Sequence, residues 1–78
     1  MTHKNDHGLQ AWVGSALRVR RIAEGLTLKQ LADKVGVSTA TVARWETNAN
    51  CPDAQSVAMI SEEFHSEPED FSRRPRVV

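Results

Sequence analysis

The chain has 78 residues, with ten Lys and Arg against ten Asp and Glu, and a single cysteine, Cys51. A chain of this length forms one domain that buries roughly 60% of its unfolded surface, so we expect no deep enzyme cleft and no catalytic site. One cysteine excludes an internal disulfide framework and a cysteine cluster for zinc, and no apolar run approaches the ~20 residues of a membrane span. We therefore expect a cytoplasmic protein with no cofactor, no metal and no membrane contact.

The charges are distributed unevenly along the chain. Residues 1–48 hold seven Lys and Arg against four acids, whereas residues 49–70 hold six acids and no cation, and a basic tail contains Arg73, Arg74 and Arg76. A polyanion attracts the first of these segments and repels the second, over the short range that salt leaves unscreened. The sequence therefore indicates a domain that orients itself on a polyanion although its net charge is zero.

Both ends of the chain are predicted to be tails around a domain that spans residues 9–71. Residues 1–8 are polar and lack periodicity, which is typical of disorder, and residues 72–78 form the basic C-terminal tail. His3 and His7 lie four residues apart in the first tail, but no third ligand is near. A metal site normally needs three or four ligands, so we expect none there.

A first helix is predicted from about Leu9 or Ala11 to Glu24, and Gly25 ends it. Its core side is expected to carry Trp12, Val13, Ala16 and Leu17. Its cations are Arg18, Arg20 and Arg21. Surface cations of this kind are usually solvated, and here they are also candidates for contacts to phosphates.

The stretch LKQLADKVGVSTATVARW predicts two short helices that cross at a tight turn. Leu31 and Val35 lie on one face of the first helix, and Thr27 is a suitable N-cap for it. Gly36 follows directly, at a position where helices commonly end in a left-handed residue. The chain therefore turns at this glycine.

Ser38 is the predicted N-cap of the second helix, whose inner face repeats at Val42 and Trp45. The outer face offers small residues, hydroxyls and one long cation, in the order Thr39, Ala40, Thr41, Ala43 and Arg44. Such a face suits insertion into a DNA groove better than ordinary exposure to solvent. The alternative is an αα-hairpin that only packs within the domain.

A fourth helix is predicted from about Asp53 to Phe64, after a loop in which Asn48 takes a left-handed conformation. Its core side is expected to carry Ala54, Val57, Ala58, Ile60, Ser61 and Phe64. A short fifth helix follows, with Glu67 as its cap. The predicted fold is an all-α, five-helix bundle with the helix-turn-helix as helices two and three. If helix one packs against helix three, Arg21 meets Glu46 in a partly buried ion pair.

Three segments of the sequence resemble the Xre family, the lambdoid Cro and repressor class of helix-turn-helix proteins. They are VGSALRVRRIAEGLT, LKQLADKVGVSTATVARWETN and CPDAQSVAMISEEFHSEPEDF. The resemblance implies a prokaryotic or phage-encoded transcriptional regulator, most simply a repressor, that reads double-stranded DNA in the major groove. It implies a homodimer on a near-palindromic site with half-sites ~34 Å apart. It also implies the same pairing of Arg21 with Glu46.

The resemblance places base reading on the residues after the second cap, namely Thr39, Ala40, Ala43 and Arg44. We expect Arg44 to bond bidentately to guanine, and Thr39 and Ala40 to touch thymine methyl groups. Phosphate contacts are expected from helix starts and nearby polar or cationic side chains, namely Thr27, Lys29, Ser38, Thr41, Asn48 and Arg18.

Two departures from the family pattern reduce the expected grip on phosphates. Helix two opens with Leu28 where the family usually has a glutamine, and the loop Ala49, Asn50, Cys51 is uncharged. Binding is therefore expected to depend on dimerisation or on the arginine tail. The candidate dimer contacts are Met59, Phe71, Val77 and Val78.

Two alternatives to a stand-alone regulator stay open at this point. One is the antitoxin of a toxin-antitoxin pair, which binds DNA and uses its basic tail to hold a protein partner. The other is a protein-interaction module that keeps the fold but no longer reads DNA.

Overall fold

The computed structural model describes residues 11–73 and is mainly helical. Its elements are β1 (Ala11–Trp12), α1 (Gly14–Ala23), α2 (Leu28–Val35), α3 (Thr39–Glu46), α4 (Ala54–Glu63), a 3-10 helix (Pro68–Phe71) and β2 (Ser72–Arg73). The sequence predictions for the N-terminal tail with His3 and His7, for Leu9 and for Val77 and Val78 concern residues outside this range.

The start of the first helix was predicted too early. Ala11 and Trp12 form an antiparallel strand pair with the other end of the domain, with Ala11 opposite Arg73 and Trp12 opposite Ser72. Val13 is extended, and its backbone N–H donates to the Phe71 carbonyl at 2.9 Å. These hydrogen bonds join residues about 60 positions apart, so they override the local helical periodicity. The first helix therefore begins at Gly14.

The four α-helices otherwise follow the predicted order, and the fifth is a single 3-10 turn. Glu67 precedes this turn and its backbone N–H donates to the Asp70 carboxylate at 3.0 Å. Pro68 occupies the first position, where the missing N–H costs nothing. The fold is thus all-α in its core, with four helices, one 3-10 turn and a two-residue strand pair that the sequence did not predict.

One apolar cluster holds the helices together. Its buried members are Leu17, Leu31, Ala32, Val35, Val42, Trp45, Ile60, Phe64 and Phe71. Phe71 is 1% exposed, and its ring centroid lies 6.2 Å from those of both Trp12 and Phe64. Its expected role in a dimer contact is therefore wrong, because the ring is a core side chain unavailable to a second copy.

Helix α4 has the predicted bounds to within one residue, with Asp53 and Phe64 as its caps. The Asp53 carboxylate accepts a hydrogen bond from the Ser56 backbone N–H at 2.8 Å, and this bond lowers the pKa of Asp53 below its ordinary value. Two predicted core positions were wrong, since Ala54 and Ala58 are exposed. The buried face of α4 is therefore narrower than predicted. The small side chain of alanine is tolerated on the buried and on the exposed side of a helix, so it does not mark the buried face.

No described helix has the length and apolar character needed to cross a membrane. Within residues 11–73, His, Cys, Asp and Glu side chains form no group of three that is suited to hold a metal ion.

Candidate nucleic-acid interface

The turn between α2 and α3 fixes the angle at which the two helices meet. Gly36 has φ 78°, a left-handed conformation that favours glycine, and its backbone N–H donates to the Ala32 carbonyl at 2.8 Å. The Val37 N–H donates to the same carbonyl at 3.0 Å, and the two bonds together close the C-terminal end of α2. The turn is therefore closed by backbone bonds, and the predicted glycine stands where the geometry needs it.

Helix α3 is buried on one side and open on the other. Val42 and Trp45 are 0% and 4% exposed and anchor its inner face in the core. On the outer side Thr39, Ala40 and Arg44 are exposed, and Ala43 is half-buried. The Arg44 side chain has no hydrogen bond or ion pair to any residue between 11 and 73. The four predicted base-reading residues thus share one face, which ends in a free guanidinium.

The start of α3 carries two hydroxyl groups that bond to each other. Ser38 is the N-cap, and its Oγ accepts from the Thr41 backbone N–H at 3.1 Å. The hydroxyls of Ser38 and Thr41 lie 2.8 Å apart, and either of them can donate. One hydroxyl hydrogen of the pair therefore remains available to an anion at this helix start.

The start of α2 is closed by a capping box that includes Gln30. The Thr27 Oγ1 accepts from the Gln30 N–H at 3.0 Å, and the Gln30 Oε1 accepts from the Thr27 N–H at 2.8 Å. The spacing T-x-x-Q signals this box in the sequence, although only Thr27 was singled out from it. Lys29 is exposed and pairs weakly with Asp33 at 3.3 Å. Leu28 is half-buried against the core and offers no polar group beyond its backbone.

The loop after α3 folds back on the helix end. Asn48 has φ 62°, as predicted, and the N–H groups of Ala49 and Asn50 both donate to the Arg44 carbonyl, at 2.9 and 3.2 Å. Cys51 is exposed and its thiol is free. Both bonds go to the Arg44 carbonyl near the end of α3, and they bring no cation to the loop.

The Asn48 side chain has intramolecular partners at both ends of its amide. Its Oδ1 accepts from the Gly14 N–H at 2.7 Å, and its Nδ2 donates to the Trp12 carbonyl at 3.1 Å. One amide hydrogen is left for any other acceptor. The structure thus shows Asn48 joining the α3 end to the start of α1, a position that no local sequence pattern indicates.

Arg21 and Glu46 lie together between α1 and the end of α3. The Arg21 Nε and Glu46 Oε2 are 2.6 Å apart, and a second bond joins the guanidinium to Oε1 at 3.1 Å. The side chains are only 12% and 6% exposed. A third guanidinium nitrogen donates to the Leu26 carbonyl at 2.8 Å. The hydrogen bond to Glu46 raises the pKa of Arg21 above its ordinary value, so the guanidinium stays charged.

The other two arginines of α1 differ in their surroundings. Arg20 donates to the Phe64 carbonyl at 2.8 Å, lies 5.6 Å from the centre of the Phe64 ring, and pairs with Glu24 at 3.3 Å. It therefore holds the end of α4, a role that the run of cations did not reveal. Arg18 is exposed and its side chain has no partner among residues 11–73.

Comparison with known proteins places this geometry in a family. The HTH_3 helix-turn-helix model matches residues 17–71. The P22 c2 repressor in complex with a synthetic operator matches with a TM-score of 0.69 and 25% identity, over 72% of this chain and 85% of that one. The clp gene regulator ClgR from Corynebacterium glutamicum matches with a TM-score of 0.69 and 26% identity, over 74% of this chain and 62% of that one.

The master regulator for biofilm formation SinR, in complex with DNA, shares the fold with a TM-score of 0.69 and 24% identity, over 74% of this chain and 97% of that one. A comparison with curated protein sequences gave no match. The matched segment of the family model contains all of α2, α3, α4 and the 3-10 turn. The chain therefore belongs to the HTH_3 family of helix-turn-helix, Cro/C1-type DNA-binding transcriptional regulators, which are not enzymes.

Proposed function

We propose that the protein is a sequence-specific regulator, most simply a repressor, that inserts α3 into the major groove of double-stranded DNA. The observation that supports this proposal most strongly is the outer face of α3, where Arg44 is exposed and without a partner among the described residues. The inner face is held by Val42 and Trp45, so the helix is presented on a rigid support. A protein of this kind acts in the cytoplasm, on chromosomal or phage DNA.

We assign base reading to four residues of this face, with different roles for each. The Arg44 guanidinium matches the O6 and N7 acceptors of guanine, a pairing worth about 1 to 3 kcal/mol of discrimination. Thr39 and Ala40 bring methyl groups to thymine methyls, and Ala43 is small enough to let α3 lie deep in the groove. The expected preference is therefore for one G·C pair flanked by A·T pairs in each half-site.

Phosphate contacts are assigned to the two helix starts and to one cation of α1. At the start of α2, Thr27 keeps a hydroxyl hydrogen, the first backbone N–H groups are unpaired within the helix, and Lys29 is exposed. At the start of α3, the Ser38 and Thr41 pair offers one hydroxyl hydrogen. Arg18 is the exposed cation of α1, and Asn48 contributes its one remaining amide hydrogen.

A homodimer on a near-palindrome completes this proposal. The two copies of α3 then lie about 34 Å apart and enter successive major grooves on one face of the duplex. The P22 c2 repressor structure, in complex with its operator, and the SinR structure, in complex with DNA, support DNA as the ligand of this fold. The uncharged loop after α3 gives a single copy few phosphate contacts, and dimerisation compensates by raising the affinity of the pair for DNA.

A second candidate function is a protein-interaction module that keeps the fold without DNA reading. Two observations favour it. Leu28 packs against the core at the position of an expected phosphate contact, and the loop from Ala49 to Cys51 is uncharged. In this case the C-terminal arginine tail is the segment offered to the protein partner.

Selection from a pool of random double-stranded DNA separates the two candidates. The regulator enriches a defined near-palindrome, and its affinity for that sequence falls by about a thousandfold or more between ~50 and ~200 mM salt. Failure to enrich any sequence at low salt contradicts DNA reading and leaves the interaction module. A random pool passed over heat-unfolded protein is the control for non-specific retention.

A further inference from the structure

The large hydrophobic side chains that are exposed among residues 11–73 are Val19, Ile22 and Met59. Val19 and Ile22 lie three positions apart on α1 and form one patch, and Met59 lies on α4. Single exposed apolar residues are ordinary on a small domain. All of the exposed large hydrophobics of the described chain lie on two helix faces. We take these two faces as candidate contact surfaces.

The outer face of α1 is apolar with one cation. Ser15, Arg18, Val19, Ile22 and Ala23 follow the i, i+3, i+4, i+7, i+8 spacing of a single helix face, opposite the buried Leu17. Val19 is 68% and Ile22 is 55% exposed. No acidic residue lies on this face. A solvent-facing helix of this length normally carries several charges, so the face is unusual in having only Arg18.

The outer face of α4 has the opposite charge. Gln55, Ala58, Met59 and Glu62 follow the i, i+3, i+4, i+7 spacing, opposite the buried Ile60. Met59 is 39% exposed, and Ala58 beside it is exposed too, which gives the face an apolar centre. The neighbouring Glu63 already pairs with Lys34 at 3.5 Å. Glu62 is exposed, and its side chain has no partner within residues 11–73.

We propose that α1 of one copy packs head to tail against α4 of a second copy. The Val19 and Ile22 side chains cover Met59, and the free Arg18 guanidinium neutralises the free Glu62 carboxylate. The two faces complement each other in charge, whereas neither complements itself, so α1 of one chain is matched to α4 of another rather than to its own copy. The contact does not require DNA, so it stands or falls independently of DNA reading.

The area of the contact limits its strength. Each face spans a helix of ten residues, about 15 Å long. A single pair of such faces buries less than the ~1,200 Å² of a standard stable interface. The association is therefore weak in dilute solution, and it becomes significant only where the local concentration of the chain is high.

Sedimentation velocity over a concentration series up to the millimolar range tests this contact. It is run without DNA, since Arg18 is also a proposed phosphate contact, and under reducing conditions, since Cys51 is exposed. Val19→Glu has a damaged α1 face and an intact α4 face, and Met59→Glu has the reverse. Each variant alone is expected to lose about tenfold or more in association constant, while an equimolar mixture recovers a dimer and nothing larger.

A charge-reversal series tests the polar part of the same contact. Arg18→Glu and Glu62→Arg are each expected to weaken association several-fold, and the double reversal in one chain is expected to restore it. Asp33→Arg is the matched control, because it makes the same charge change as Glu62→Arg at an exposed position of α2. Circular dichroism confirms that each surface variant folds.

Three results overturn the proposal. The first is a wild-type chain that remains monomeric at every concentration. The second is association that is insensitive to Val19→Glu or Met59→Glu, which places the contact elsewhere. The third is a mixture of these two variants that stays monomeric while the wild-type chain associates.

Discussion

The indole Nε1 of Trp12 donates to the Trp45 carbonyl at 2.8 Å, and this bond joins the N-terminal strand to the last turn of α3. The same strand is bonded through its Trp12 carbonyl to the Asn48 side chain. Trp12 therefore holds the end of the helix that carries the proposed reading face. It lies 33 positions before Trp45 and 36 positions before Asn48. A helix of eight residues is too short to be stable alone, so this support matters for its position.

Gly14 is the residue that allows this close approach, and Gly14→Ala is expected to destabilise the domain. A Cβ at this position meets the carbonyl oxygens of Trp45 and Glu46 at less than contact distance, and also the Asn48 Oδ1. The backbone has to move, at a cost of about 1 to 3 kcal/mol. Urea unfolding measures it, with Ser15→Ala at the adjacent exposed position as control. Equal stability of the two variants contradicts the close packing.

Removing one partner of the Arg21 and Glu46 pair is expected to cost more than removing both. Arg21→Met leaves a nearly buried carboxylate without its cation, and the free energy of unfolding is expected to fall by about 3 kcal/mol. Arg21→Met with Glu46→Leu replaces both charges by apolar groups and recovers most of that loss. A double-mutant cycle in urea gives the coupling. Strict additivity of the two single changes argues against a coupled pair.

The cap of α4 is expected to make stability depend on pH. The Ser56 N–H bond lowers the pKa of Asp53 in the folded state, so the ionised carboxylate stabilises the fold above its unfolded pKa. That contribution is lost as pH falls below about 4 and through the lower folded pKa. Asn also caps helices but does not titrate, so Asp53→Asn is the control. Thermal melts between about pH 7 and 2 should show wild type losing stability relative to Asp53→Asn. A constant difference contradicts the role of this carboxylate.

The helical part of the fold was predictable because its signals are local. The caps Thr27 and Ser38, the turn at Gly36 and the left-handed Asn48 each act within one helical turn of their own position. The pairing of Arg21 with Glu46 followed from the expectation that α1 packs on α3. The caps and turns were predictable because sequence spacing and geometry agree over three to five residues.

The remaining features depend on contacts between distant parts of the chain. The strand pair of Trp12 with Ser72 has no sequence pattern of its own, because two residues are too few to show alternation. Arg20 lies in the same run of cations as Arg18, yet it binds the Phe64 carbonyl while Arg18 stays free. Only the position of α4 distinguishes them. The exposed alanines of α4 were assigned to the core because a small side chain fits either side of a helix, and only the packing of α4 decides which side is buried.

The central claim is that Arg44 reads a base while Lys29 only holds the backbone. The most direct test is a scan of single base-pair substitutions across the selected operator, with affinities measured for wild type, Arg44→Ala and Lys29→Ala at one salt concentration. Arg44→Ala is expected to lose discrimination of about 1 to 3 kcal/mol at one base pair per half-site, and Lys29→Ala to weaken all sequences alike. Full selectivity in the Arg44→Ala variant would contradict the account.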